Sequence, residues 1–123
     1  MFTYQDALNA LTKARKGSGQ KKLDHNTYAV NRGDHVAIRL HATDVVKLYP
    51  NGDVVLNSGG WDTVTTKDRI SRFSPYTIQQ KKYVWSIWSS RYNDGTYPGH
   101  RFIGLFKDGV RLNSKGKVMR ENV

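Results

Sequence analysis

The feature that most constrains the fold is a pair of apolar runs around a reversal. Asp44-Val45-Val46-Lys47-Leu48-Tyr49 and Asp53-Val54-Val55-Leu56-Asn57 flank Pro50-Asn51-Gly52. Runs rich in β-branched residues on either side of Asn-Gly predict a tight antiparallel hairpin, because Asn and Gly supply the positive φ angles a short reversal needs. Upstream, Val36, Ile38 and Leu40 alternate with His35, Arg39 and His41 on the opposite side, the period-two pattern of a half-buried strand. Thr27-Tyr28-Ala29-Val30 precedes it across the turn-like Asn31-Arg32-Gly33. Tyr83-Val84-Trp85-Ser86-Ile87-Trp88 is aromatic and β-branched enough to be another strand. A second hairpin is predicted from Phe102–Phe106 through Lys107-Asp108-Gly109 to Val110–Leu112. The two hairpins echo each other, Asn51-Gly-Asp-Val-Val-Leu-Asn-Ser-Gly against Asp108-Gly-Val-Arg-Leu-Asn-Ser-Lys-Gly, an echo that good hairpin grammar accounts for as readily as duplication.

Two helices complete the reading. Residues 3 to 14 form an amphipathic helix: Thr3 caps it, Asp6 supplies the reciprocal capping-box contact, and Tyr4, Leu8 and Leu11 share one face. Thr65 with Asp68 predicts a second cap, with a short helix from Thr66 to Phe73 that buries Ile70 and Phe73. The expected architecture is α+β: an N-terminal helix, a mainly antiparallel sheet of about six or seven short strands built from hairpins, and one short helix near residues 66–73. A single domain over 1–123 is expected. It comprises a basic helix and linker (1–21), a hairpin core with the short helix (22–73), an aromatic strand and second hairpin (74–114) and a basic tail (115–123).

Charge narrows the partner. The net charge is +10 and the pI near 10.0, with the excess in the first thirty residues, in 61–90 and most strongly in the C-terminal third. A surplus of this size draws polyanions to the surface. Lys13, Arg15, Lys16, Lys21 and Lys22 are the predicted nucleic-acid-binding arm, and Lys67, Arg69, Lys81, Lys82 and Arg91 a second surface. Tyr83, Trp85, Trp88 and Tyr92 lie among those later cations, an arrangement in which an exposed ring stacks bases; alternation frees at most one of Trp85 and Trp88, and a mainly buried pair is the slightly preferred reading.

Ser58-Gly59-Gly60-Trp61-Asp62-Thr63-Val64-Thr65-Thr66 concentrates backbone freedom and hydroxyls in one place. The functional reading is an anion or ligand site at Gly59, Gly60, Trp61, Thr63, Thr65 and Thr66, with a helix N-terminus, Lys67 and Arg69 adding donors. The structural reading, which the composition favours, makes the glycines a bend, the threonines strand and cap formers, and Trp61 part of the core.

Several function classes lose support. The chain has no cysteine, hence no disulfide, thiolate ligand or cysteine nucleophile. His35 and His41 would sit about 20 Å apart at ~3.3 Å per residue, too far to act on one phosphorus without a distant partner such as His25 or His100; His41 is read as a structural residue bonded beside Asp44. Glu121 is the only glutamate and no metal-ligand spacing occurs, so neither enzyme activity, nor metal, nor cofactor is expected. The N-terminal stretch does not read as a signal peptide and no apolar run spans a bilayer, so no membrane partner is expected and the chain is placed in the cytoplasm.

A resemblance adds an origin. Lys22-Leu23, Asn26-Thr27-Tyr28, Arg39-Leu40-His41-Ala42-Thr43-Asp44-Val45-Val46, Asn51-Gly52 and the stretch Ser58 to Ile70 resemble a small-protein family of tailed bacteriophages with the pattern Asn-Thr-Tyr, Leu-His-x-Thr-Asp, Gly-Gly-Trp-x-Thr-x-Thr-Thr and a later Phe-x-Asp-Gly like Phe106-Lys107-Asp108-Gly109. The similarity covers roughly residues 22 to 73 well and leaves the basic N-terminal helix outside, as a feature particular to this member. It implies phage origin and expression in a bacterial host cell, and it transfers no catalytic residue. The function expected from these readings is a non-catalytic basic accessory protein that binds nucleic acid, DNA or RNA, through backbone phosphates. The alternative is a protein that binds and modulates a host factor or host defence system; a weaker one is a small-ligand or nucleotide-binding β-domain centred on Gly59-Gly60.

Overall fold

A computed structural model describes residues 1–89 and 101–119. The order is α1 (Tyr4–Leu11), β1 (Gln20–Asp24), β2 (Thr27–Asn31), β3 (Val36–Leu40), β4 (Thr43–Leu48), β5 (Val54–Leu56), α2 (Val64–Arg72), β6 (Tyr76–Lys81), β7 (Val84–Ser89), β8 (Arg101–Leu105) and β9 (Val110–Leu112). The strands form two antiparallel sheets, one of six in the order β1-β2-β3-β4-β5-β9 and one of three in the order β6-β7-β8. The protein is therefore α+β, with more strands than the pattern of apolar runs indicates.

The Asn-Gly hairpin forms as expected, with Leu48 opposite Val54 and Val46 opposite Leu56. Its turn differs in detail: Gly52 takes φ +93° while Asn51 stays out of the positive-φ region, and Asn51 Oδ1 instead accepts from the Asp53 N–H at 2.9 Å. On β4 the register shifts between Ile38/Val46 and Arg39/Asp44, which leaves Val45 as a bulge residue. The bulge explains why consecutive Val45 and Val46 are both buried, which a regular strand with one wet face does not allow.

β1 straddles the junction read from the sequence between linker (1–21) and hairpin core (22–73), and β6 precedes the aromatic strand predicted from Tyr83. Gln20-Lys21-Lys22-Leu23-Asp24 has no apolar alternation. It is an edge strand whose ladder to β2 supplies the order, and edge lysines discourage pairing with another chain. The predicted second hairpin is absent. β8 pairs with β7, β9 pairs with β5, and Lys107-Asp108-Gly109 carries the chain from the smaller sheet back to the larger. The segment 74–114 is thus shared between the two sheets.

α1 is shorter than predicted, but its capping box is complete: the Thr3 N–H donates to Asp6 Oδ2 at 2.9 Å and the Asp6 N–H to Thr3 Oγ1 at 3.2 Å. α1 packs on β1, β2 and β3, and α2 on β4 and β6. One core joins both sheets and both helices through Ala7, Ile38, Val46, Leu56, Ile70, Ile87 and Leu112, each without exposed surface. Phe2 crosses Phe73 edge-on at 5.3 Å, tying the N-terminus to the end of α2.

Candidate functional site

The glycine and threonine block is a fastened turn beside a cavity. Ser58 is buried, and both its N–H and its hydroxyl donate to Asp108 Oδ1, at 2.8 and 2.7 Å, fifty residues away. The Gly60 N–H donates to Ser58 Oγ and the Trp61 N–H to the Ser58 carbonyl, closing the turn. Gly59 is required for two reasons: its φ is +65°, and a Cβ there would lie 2.6 Å from Thr43 Oγ1. The turn lifts Trp61 off the core, leaving it 67% exposed, so the reading of Trp61 as a core residue is corrected. A cavity of about 420 Å³ opens beside it. Buried Leu40 and Val45 form its apolar floor; Thr43, Thr63, Thr65 and Thr66 line it with His41 and Trp61. Gly59 and Gly60 shape the turn without lining the cavity.

The second helix begins earlier than the Thr65–Asp68 pattern predicts. Thr63 is the N-cap and its hydroxyl accepts from the Thr66 N–H at 3.2 Å, so Thr65 is helical and the two threonines do not alternate along a strand. Asp68 is free for a different task. With Asp24 it holds Arg69 and Arg72, and Arg69 Nε also donates to Thr27 Oγ1 at 2.8 Å. The His25 N–H first, and then Arg72, hold the Asp24 carboxyl below the usual carboxylate value; Asp24 and Asp68 raise Arg72 in return.

This cluster changes the electrostatics expected of the site. The Arg69 side chain is only 12% exposed and structural. Lys67 donates to Gln80 Oε1 and lies 5.9 Å from the centre of the Trp85 ring. Neither cation lines the cavity, whose walls carry no lysine, arginine or carboxylate among the described residues. Asp62 faces a smaller concavity of about 230 Å³ on the other side of Ser58, with Tyr83, Lys107 and Asp108.

The predicted cationic arm is exposed at Lys13, Arg15, Lys16 and Lys22, while Lys21 is half-buried on β1, the free edge of the larger sheet. Lys81 and Lys82 lie exposed at the β6–β7 turn of the smaller sheet; Arg91 falls outside the described residues. Among the described residues every ion pair is made by an arginine, apart from that of His35 with Asp34, and no lysine makes one. Arg32 holds Asp44, and Arg111 holds Asp53 while lying over Tyr49. Arginine serves here because its planar fork matches a carboxylate at two points.

Trp85 is core, packed 5.3 Å from Phe106. Trp88 faces outward and half-buried, its Nε1–H donating to Ser86 Oγ and its ring edge-on to Phe102. Tyr83 is 97% exposed in the turn before β7, off the face that Trp85 occupies; Tyr92 lies outside the described residues. The described histidines do not converge. His25 is in the β1–β2 turn, and His35 stacks on Tyr49 at 4.8 Å while its Nδ1 bonds Asp34. His41 turns the chain at φ +54°. Asp44, expected beside His41, is bonded to Arg32, and His100 lies outside the described residues. No cluster of three potential metal ligands, and no helix long and apolar enough to cross a membrane, occurs among the described residues.

Comparison with known protein families places the chain. The family model described as Kyanoviridae Gp96 protein matches residues 3–112, and the chain belongs to that phage protein family. The match begins at residue 3, so α1 lies within the family pattern and is not an addition particular to this member. Neither the curated proteins nor the solved structures gave a match.

Proposed function

We propose that this member of the Kyanoviridae Gp96 protein family is a non-catalytic accessory protein of the phage-infected cell that binds nucleic acid through backbone phosphates. The observation that carries the reading is the division of labour among cations. Arginines take up Asp24, Asp44, Asp53 and Asp68, and the lysines carry no ion pair among the described residues. A surplus of unpaired, hydrated point charges suits phosphate contact without sequence readout. Lys13, Arg15, Lys16, Lys21 and Lys22 form the primary contact, and Lys81 and Lys82 a second one.

Binding of labelled duplex DNA, single-stranded DNA and RNA across a salt series tests the reading. A steep linear log–log slope is expected, and Lys21→Ala/Lys22→Ala lowers it by about 1.4 to 1.8, at ~0.7 to 0.9 per phosphate contact. An unchanged slope removes that arm, and absence of binding at physiological salt removes the reading.

One observation favours a protein partner as the second reading. Val84, Phe102 and Leu105 are exposed on the outer face of the smaller sheet next to Trp88, an apolar patch of the kind that protein interfaces use. A salt-insensitive stoichiometric complex with a host protein, weakened by Phe102→Ala, would move the function to that face.

A further inference from the structure

The cavity beside Trp61 has chemistry that the lysines do not account for. Its volume of about 420 Å³ lies within the ~300–1,000 Å³ typical of small-molecule pockets. Among the described residues its lining holds no lysine, arginine or carboxylate, with the apolar floor of Leu40 and Val45 below and the indole of Trp61 at its side. The hydroxyls of Thr43 and Thr65 and the ring nitrogens of His41 have no hydrogen-bond partner among the described residues, so donors and acceptors stand at the mouth unspent. The turn that presents Trp61 is held by the bonds of Ser58 to Asp108 and by the close approach of Gly59 to Thr43, so the backbone that carries the indole is placed before any ligand arrives. Keeping a large aromatic exposed on a fastened turn forfeits the burial it would gain in the core.

We propose that this cavity binds a nucleobase, a planar uncharged heteroaromatic ring that stacks on Trp61 and meets the Thr43, Thr65 and His41 groups with its polar edge. No lysine or arginine among the described residues lines the cavity to hold a phosphate inside it. A base fits either as part of a free nucleoside or as a base of a strand whose backbone runs over the surface. The site stands on the cavity and not on the lysines, so it is independent of phosphate-backbone binding.

The test is titration of the full chain, followed by ¹H–¹⁵N NMR, with adenosine, with uridine and with a short single-stranded oligonucleotide. Shifts are expected in Leu40–Val45 and Ser58–Thr66, and Trp61→Ala weakens binding roughly 5- to 150-fold, the loss corresponding to one base–aromatic stack. Trp61 is exposed, so this variant retains the fold; Thr65→Val provides a second variant in the lining with a smaller loss. Response to free nucleosides identifies a nucleoside pocket, and response to the oligonucleotide alone identifies a strand-borne base. Lys21→Ala/Lys22→Ala leaves nucleoside binding unchanged, which separates failure of the phosphate arm from failure of the pocket. No shift of these residues with any of the three probes, or equal affinity in Trp61→Ala, overturns the proposal.

Discussion

Two turns with nearly the same grammar have opposite fates. Tyr49-Pro50-Asn51-Gly52-Asp53 closes a hairpin, with the Gly52 N–H donating to the Tyr49 carbonyl and the Tyr49 N–H to the Asp53 carbonyl, both at 3.0 Å. Phe106-Lys107-Asp108-Gly109 also reverses the chain, yet the strands on its two sides join different sheets. The Gly109 N–H donates to the Leu56 carbonyl and the Asp108 carboxylate takes the Ser58 donors, so this turn is docked onto the end of β5. The sequence echo between the two regions acquires a geometric sense. β5 and β9 are neighbours, with Val54 opposite Leu112, Val55 opposite Arg111 and Leu56 opposite Val110. The pairing is symmetric about Val55 and Arg111, so each echoed segment is the partner of the other. Turn chemistry determines where a chain reverses; the partner of the next strand is determined by which apolar faces meet.

The largest expected effect tests whether β9 belongs to the core of the larger sheet. Leu112 is fully buried there, and Leu112→Ala should cost about 2–5 kcal/mol in urea unfolding. A loss under 1 kcal/mol would make β9 peripheral.

The two turn glycines give the next contrast. An added Cβ at Gly52 would lie 2.7 Å from Ser114 Cβ, whereas at Gly109 it would meet nothing within 4 Å; their φ angles are +93° and +83°. Gly109→Ala should therefore cost only the left-handed penalty of about 1–2 kcal/mol, and Gly52→Ala that plus about 1–3 kcal/mol of overpacking. Ser114→Gly in the Gly52→Ala background should recover the second part, and a double-mutant cycle without coupling would contradict the contact.

The smallest effect concerns a third turn. Between β1 and β2, Asp24 accepts from the His25 N–H and from Arg72, which lower its pKa below 3.8. A carboxylate lowered in the folded state stabilises fully above its unfolded value and loses that contribution as pH falls through the folded one. The melting temperature should therefore drop between pH 5 and pH 2 by more in the parent chain than in Asp24→Asn, and parallel curves would remove Asp24 from the acid response.

Local chemistry is legible in these residues where neighbours in sequence are neighbours in space. The Thr3–Asp6 box, the Asn51-Gly52 reversal and the alternation of β3 all involve contacts within a few positions. β1 and β6 were hidden because their order comes from ladders to β2 and β7, and backbone hydrogen bonds leave no residue-type signature. The site was half legible. Gly59, Trp61, Thr63, Thr65 and Thr66 stand together in the sequence, but His41, Thr43 and Asp108 join them only through the fold.

What the sequence alone determined is therefore the class: an α+β chain of antiparallel strands with a large positive surplus, since composition and short-range periodicity carry both. Tertiary structure decided which of the described cations remain unpaired, that Trp61 stands out of the core, and that a cavity with no lysine, arginine or carboxylate among its described lining lies beside it. Each depends on residues twenty to fifty positions apart, Asp24 with Arg72, Trp61 with His41 and Ser58 with Asp108, whose meeting follows from burying both sheets and both helices around one core.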